Sequence, residues 1–359
     1  MSNTLLVVGA TGIVGSAALQ HFSNLAQWEI VALSRRPIAP MNNVRHVQAD
    51  LTDLSQCQKA LADEKKITHV LYTALYEKPD LVAGWSDRSQ MDMNHTMLKN
   101  LLDALEPVAL NLKHISLMQG TKAYGLHAKQ VPVPAKEKWP RATHDVFYWP
   151  QEDLLRQRQS KASWFFSILR PQLILGASIG SPMNILAAIG VYAAVMRELG
   201  KPLCFPGGGR YVHAASDSRL IVQAAQFVGT QECARNETFN VVNGDMLVWH
   251  DVWPAIAKHF DMPLGEAQPM QLSKEMPLYE DVWQRVVKKY QLKDMTMASL
   301  VNSSWQFTDR SFGFGLDQPL DRIVSPIKLR KVGFAACEDT EESMLYGLTQ
   351  MQEARWLPK

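Results

Sequence analysis

The segment Thr4-Leu5-Leu6-Val7-Val8-Gly9-Ala10-Thr11-Gly12-Ile13-Val14-Gly15 leaves few folds open to this chain. Its unbroken apolar run reads as a strand buried on both faces. The glycines that follow, and then Ala17, Leu19 and Phe22 at helical spacing, read as a tight turn into a helix. That is half of a nucleotide-binding βαβ unit. Gly9 would let the chain turn, Gly12 would let backbone approach a pyrophosphate, and Gly15 would let the helix pack close to the sheet, with phosphate on the helix N-terminus. The Gly-x-x-Gly-x-x-Gly spacing differs from the common Gly-x-Gly-x-x-Gly, so the turn has to be judged by its surroundings.

Those surroundings alternate strand and helix. Apolar runs at 29–34, 44–49, 68–74, 112–118 and 164–169 are separated by helical patterns, the longest placing Met93, Met97, Leu98, Leu101, Leu102 and Leu105 on one face. This predicts an α/β fold with a Rossmann-type doubly wound parallel sheet. After about Ser178 the rhythm changes to longer helices at 185–198, 216–227, 249–260 and 279–290, with one further strand near 238–243. The expected organisation is a dinucleotide-binding domain over 1–177, joined by that strand, and a mainly helical substrate-binding region over 178–359. The second part would be a smaller cap over the carboxyl ends of the strands, where open α/β sheets bind ligands. Gly207 to Gly209 read as a flexible turn, because no buried strand leads into them.

Charge excludes some partners. Lys and Arg number 37 against 35 Asp and Glu, a formal net charge of +2, so nothing points to nucleic acid or an anionic membrane surface. The longest apolar segment, 185–196, is well short of the ~20 residues a membrane span needs, and the N-terminus lacks the marks of an export signal. Cys57, Cys204, Cys233 and Cys337 are scattered, which fits reduced thiols in the cytoplasm and gives no metal-ligand spacing. Ten Trp and 16 Met supply core and adaptable apolar pocket walls. A symmetric dimer is the base-rate expectation for assembly.

The second strand ends in Ser34-Arg35-Arg36, about 20 residues beyond the glycine turn, where such folds read the adenosine ribose. Two guanidiniums there would grip a 2′-phosphate with charge-assisted bonds and favour NADP(H). Asp50, after the third strand, could accept a bond from the adenine amino group, and Asp53 reads as a helix cap. His144 and Asp145 lack any accompanying nucleophile motif and read as loop polarity, and Tyr124 as packing.

The chain resembles the extended short-chain dehydrogenase/reductase superfamily, but it departs from that superfamily's Tyr-x-x-x-Lys pair. Tyr148, at a helix start, is followed four residues on by Glu152, and Lys122 stands just after the fifth strand. This arrangement is similar to that of the progesterone 5β-reductase and iridoid synthase-like enone reductases, of which the chain is identified as a bacterial-type member. The matching residues run along the chain: Gly9 to Gly15, Arg35-Arg36-Pro37, Gly120-Thr121-Lys122-x-Tyr124, Phe147-Tyr148-x-x-x-Glu152-Asp153, Arg170-Pro171-x-x-Ile174-x-Gly176 and Ser304-Trp305. The resemblance implies NADPH-dependent reduction of the C=C bond of small apolar enones, with Tyr148 and Lys122 catalytic. It implies cofactor contacts from Thr11, Gly12, Ile13 and Val14 at the turn, Arg35 and Arg36 at the 2′-phosphate, and Asp50 and Leu51 at adenine. Thr73, Ala74, Ile174, Ser181 and Met183 would meet the nicotinamide half, and Gly9, Ser34, Gln119, Tyr148 and Pro171 complete the set. Trp149 stands where the family often has a second tyrosine and is expected to reshape the pocket. Carbonyl reduction, sugar-nucleotide epimerisation and non-catalytic NADP sensing remain open on the residues alone.

Overall fold

A computed structural model describes residues 3–127 and 129–359. Seven parallel strands form one sheet in the order β3-β2-β1-β4-β5-β6-β9. They are β1 (Asn3–Val8), β2 (Trp28–Ser34), β3 (Val44–Gln48), β4 (His69–Tyr72), β5 (His114–Met118), β6 (Phe165–Pro171) and β9 (Glu237–Val241). Strand order reverses between β1 and β4, which places a crevice at the carboxyl ends of those two strands. The strand anticipated near 238–243 pairs with β6, Leu169 opposite Phe239, and closes that edge.

The two faces of the sheet follow from side-chain alternation. Leu5 and Val7 of β1 join one core with α1 (Ile13–Ser23) and α6 (Ser218–Thr230), through Ala18, Leu19, Leu220, Ile221 and Ala224. Leu6 and Val8 join the opposite core with α2 (Leu54–Leu61), α3 (Arg88–Leu105) and α4 (Tyr148–Gln159), through Cys57, Leu98, Leu101, Leu154 and Leu155.

The third core belongs to the cap. It gathers α5 (Ile185–Glu198), α7 (Trp249–His259), α8 (Glu280–Lys289), α9 (Ser304–Ser311) and α10 (Thr340–Glu353) around Trp249, Trp253, Trp283 and Phe312. Every residue of 185–196 is buried there. Among the described residues no helix is long and apolar enough to cross a membrane. Packing is close enough to demand glycine at Gly190, where a Cβ would meet Leu357 at 2.2 Å.

Two features differ from the sequence expectation. A small parallel pair, β7 (Leu173–Leu175) with β8 (Ala215–Asp217), sits beside the main sheet, where Ser216 had read as a helix start. The Gly207 to Gly209 run is not a loose turn: a Cβ on any of the three would lie within 2.4 Å of other atoms, including the carbonyl oxygens of Phe312, Gly313 and Asp317. These glycines are there so that two backbones can touch.

Candidate active site

At the switch point the glycine turn forms a cradle. Gly9 holds φ +85 with its missing Cβ 2.8 Å from the Ala74 nitrogen, and a Cβ on Gly15 would lie 2.2 Å from the Gly9 oxygen. Gly12 is the N-cap of α1 and brings no side chain to its own helix, so the first-turn N–H groups are left for an anion. The end of β2 is tied down. Ser34 donates to the Arg36 carbonyl at 2.7 Å, Gln48 donates to the Arg35 carbonyl at 2.9 Å, and both arginine side chains reach solvent. The Arg36 guanidinium spans to Thr11 Oγ1 at 3.4 Å and to the Ile179 carbonyl at 3.2 Å, across the mouth of the turn. Asp50 accepts from Thr52, and Asp53 caps α2 as expected.

The other end of the same crevice is built from the segments after β5 and before β6. Gly120 precedes a single 3₁₀ turn, Thr121–Tyr124, that carries Lys122, and Tyr148 opens α4. Met91, Ala123, Val146, Phe147 and Tyr148 pack as one cluster, so the lysine turn and the tyrosine helix are held by a common core. A Cβ on Gly120 would lie 2.9 Å from the Tyr148 hydroxyl. Burial pushes the phenol well above its ordinary range, the Glu77 carboxylate adds to that, and Arg170 offsets part of it. The phenol therefore keeps its proton and is available as a hydrogen-bond donor. Lys122 ion-pairs with the buried Glu77 at 3.5 Å and lies 3.9 Å over the Trp85 ring. Its burial outweighs the carboxylate and brings the ammonium down to about 8.

The glycine turn, Arg35, Arg36, Trp85, Gly120, Lys122 and Tyr148 line one cavity of about 770 Å³. Around it stand Gly9, Thr11, Gly12, Ile13 and Val14 from the turn, Ser34, Arg35, Arg36, Asp50 and Leu51 from the adenosine side, and Thr73 and Ala74 after β4. Gln119, Lys122, Tyr148, Pro171, Ile174, Ser181 and Met183 complete the anticipated set.

The chain matches the sequence profile of the PRISE-like Rossmann-fold domain over residues 5–308. It belongs to the PRISE family. Among PRISE relatives, an (S)-8-oxocitronellyl enol synthase of Antirrhinum majus is 30% identical, the alignment covering 98% of this chain and 92% of that protein. A 3-oxo-Delta(4,5)-steroid 5-beta-reductase of Arabidopsis thaliana is 29% identical over the same shares. These relatives are plant proteins, which overturns the reading of the chain as a bacterial-type member. Motifs such as Lys122 and Phe147-Tyr148 are set by the site they build and carry no information about lineage. In fold, the chain is similar to a UDP-glucose 4-epimerase of Thermus thermophilus in complex with NAD, with TM-score 0.66, 16% identity, and coverage of 98% of this chain and 99% of that one.

Within this PRISE site several partners were not visible in the sequence. Glu77 lies in an irregular loop far from Lys122 along the chain, and only folding joins them. Glu152, at the position where the superfamily has lysine, turns away from the cavity to Arg156 at 2.9 Å, Arg141 at 3.3 Å and the buried Arg170 at 3.4 Å. Gln119 takes part in the same network, accepting from Arg170 Nε at 3.0 Å and donating to the Tyr148 carbonyl at 3.3 Å, so its amide is spent on holding α4. His144 does more than add loop polarity, since its Nε2 lies 2.7 Å from the Lys122 carbonyl oxygen. Tyr124 packs as expected and donates to Asn240 at 2.7 Å. Trp149 is not part of the cavity wall; its indole donates to the His144 carbonyl at 3.3 Å and is faced by Arg141 and Arg170, which occupy the space between α4 and its neighbours.

Proposed function

We propose that this PRISE chain reduces the C=C bond of α,β-unsaturated carbonyl compounds with NADPH, hydride going to the β-carbon. The observation that carries the reading is the convergence of Tyr148 and Lys122, from separate segments, on a cavity whose opposite end is a glycine cradle flanked by Arg35 and Arg36. The cradle fits a dinucleotide, because the first turn of α1 has no side-chain cap on its N–H groups, and Gly9 and Gly15 let β1, the turn and α1 pack directly on the segment after β4 and on one another. Thr11, Gly12, Ile13 and Val14 would hold the pyrophosphate, Arg35 and Arg36 the 2′-phosphate, and Asp50 with Leu51 the adenine. Gly9, Ser34, Thr73, Ala74, Gln119, Pro171, Ile174, Ser181 and Met183 would enclose the rest.

When bound, NADPH supplies the hydride. As the β-carbon is reduced, negative charge gathers on the substrate's carbonyl oxygen, and the protonated Tyr148 hydroxyl donates a hydrogen bond to it, a contact worth ~3 kcal/mol. Lys122, anchored by Glu77 over Trp85, adds a positive charge to the same region. Water delivers the proton that completes the α-carbon. The division of labour runs near residue 177, with exchange across it: the sheet domain, joined by α6 and β9, holds the cofactor, and the cap helices α5 and α7 to α10 close over the substrate. We take the working form to be a cytoplasmic homodimer, which light scattering of the purified protein checks.

The deciding experiment mixes the protein with NADPH and cyclohexenone. Loss of NADPH absorbance with the saturated ketone as product is expected. The allylic alcohol as product, or NADPH binding without turnover that Tyr148→Phe leaves untouched, overturns the reading. In the same assay Arg35→Ala and Arg36→Ala should each raise KM for NADPH about tenfold and leave KM for NADH nearly unchanged.

A further inference from the structure

The substrate end of the cavity holds more positive charge than the protein around it neutralises. Arg310, in the last turn of α9, and Arg322, on the segment bridged to His213, line it together with Lys122. Lys122 has Glu77, but among the described residues neither guanidinium has a carboxylate within 4.0 Å. Arg322 donates one Nη2 bond, 3.2 Å, to the Arg310 carbonyl, and its buried Nε has no hydrogen-bond partner among the described residues. Arg310 lies 5.5 Å over the same Trp85 ring that carries Lys122, and Arg322 lies 5.6 Å over Tyr211. Ring contacts of this kind attract a cation without cancelling its charge.

The cost of the arrangement shows in the groups nearby. Burial and the charge of Arg322 both pull the Arg310 guanidinium down from its ordinary value, and burial, then His144, with smaller contributions from Lys122, Arg310 and Arg322, keeps His127 neutral. Asp50 is the only carboxylate among the described residues of the cavity wall. It follows β3, four strand positions from the β5 end that carries Lys122, about 19 Å away at normal inter-strand spacing. The nucleotide's own phosphates have their donors at the glycine turn after β1 and at Arg35 and Arg36 after β2, so the arginine pair is left for something else. The same cavity is lined by the apolar side chains of Trp85, Leu126, Phe147 and Phe307.

We propose that Arg310 and Arg322 form an anion subsite, and that the enone reduced here carries a carboxylate at the end of its apolar body, remote from the reacting carbonyl. This rests on the enone-reductase reading and names its substrate class. A half-buried cation pair without a carboxylate partner is a situation in which a ligand anion contributes, because it removes both the repulsion and the unmet hydrogen bond at the buried Arg322 Nε.

The test compares a cyclohexenone bearing a short carboxyalkyl chain with its methyl ester as substrates. It also compares binding of the corresponding saturated keto acid and its ester to the NADP⁺-loaded enzyme by calorimetry. The acid should exceed the ester by about tenfold or more in both kcat/KM and affinity. In Arg310→Gln and Arg322→Gln that ratio should fall toward one, and in Arg310→Lys part of it should remain. Thermal melting with NADP⁺ establishes that the variants are folded; if they are not, the acid-to-ester ratio of the wild type decides alone. Equal treatment of acid and ester, or preference for the ester, overturns the subsite while leaving enone reduction standing. Preferential binding of the saturated acid with no reduction of either enone supports the subsite and overturns the reductase reading instead.

Discussion

The Tyr148 hydroxyl sits 2.9 Å from where a Gly120 side chain would begin, so it occupies space that only glycine at 120 leaves free. Tyr148→Phe removes the donor alone, so kcat should fall by about 10²–10³ while KM for NADPH moves far less. Gly120→Ala keeps the donor but pushes it aside, and a loss of about 10² in kcat at unchanged thermal stability would show that its position matters as much as its presence. Lys122 gives the site its pH dependence. Its charged form is lost as pH rises through about 8, so kcat/KM should decline above that point and the decline should vanish in Lys122→Met. Glu77→Gln removes a carboxylate that favours the charged ammonium, so the same limb should move to lower pH. A limb that stays put in both variants belongs to another group. Tyr148 and Lys122 were legible because each sits at a recognisable strand or helix end, whereas Glu77 and Arg310 sit in places with no motif and acquire meaning only from what folding brings against them.

The start of α4 is where the chain departs from the wider superfamily, and the departure is structural as well as chemical. Glu152 answers three arginines, one of them buried, and through Arg170 and Gln119 it ties the backbone of Tyr148 to β5 and β6. Restoring the superfamily pattern with Glu152→Lys would set an ammonium among those guanidiniums. It should cost ~3 kcal/mol or more in denaturant unfolding and yield no carbonyl reductase, because the new side chain faces away from the cavity. Recovery of alcohol product from that variant would mean that α4 can rotate. The strands and long helices were readable from apolar periodicity, which the two-faced sheet enforces. The β7–β8 pair was not, because strands of three residues carry no period, and Gly207 to Gly209 looked loose because sequence does not reveal a backbone packed against them.

Across the whole molecule, three buried histidines make folding a proton-sensitive equilibrium. His69 on β4, His114 on β5 and His213 beneath the cap are each driven neutral by burial, to about 4, 3 and 3. His69 and His114 are held by Gly229 at 3.2 Å and Ser167 at 3.0 Å, so neither can swing out to water without opening the sheet. Above the ordinary imidazole value near 6.5 both the folded and the unfolded chain leave them unprotonated, and they contribute nothing to the slope. As pH falls below that value the unfolded chain takes up protons at these three sites that the folded chain refuses until about 4, so stability falls with pH, by about 4 kcal/mol per unit from these three at most, and His127, held down to about 3 chiefly by burial, adds in the same direction. Glu77 and Glu137, held above the ordinary carboxylate range by burial, bind protons earlier in the folded state and offset part of this. The measurable outcome is a denaturant midpoint that declines steadily from about pH 6.5 to 5. His114→Gln should make that decline shallower by about one proton even if it lowers stability at neutral pH. A slope unchanged by that substitution would show that His114 already reaches solvent in the native state, and would move the acid sensitivity from the sheet to the carboxylates.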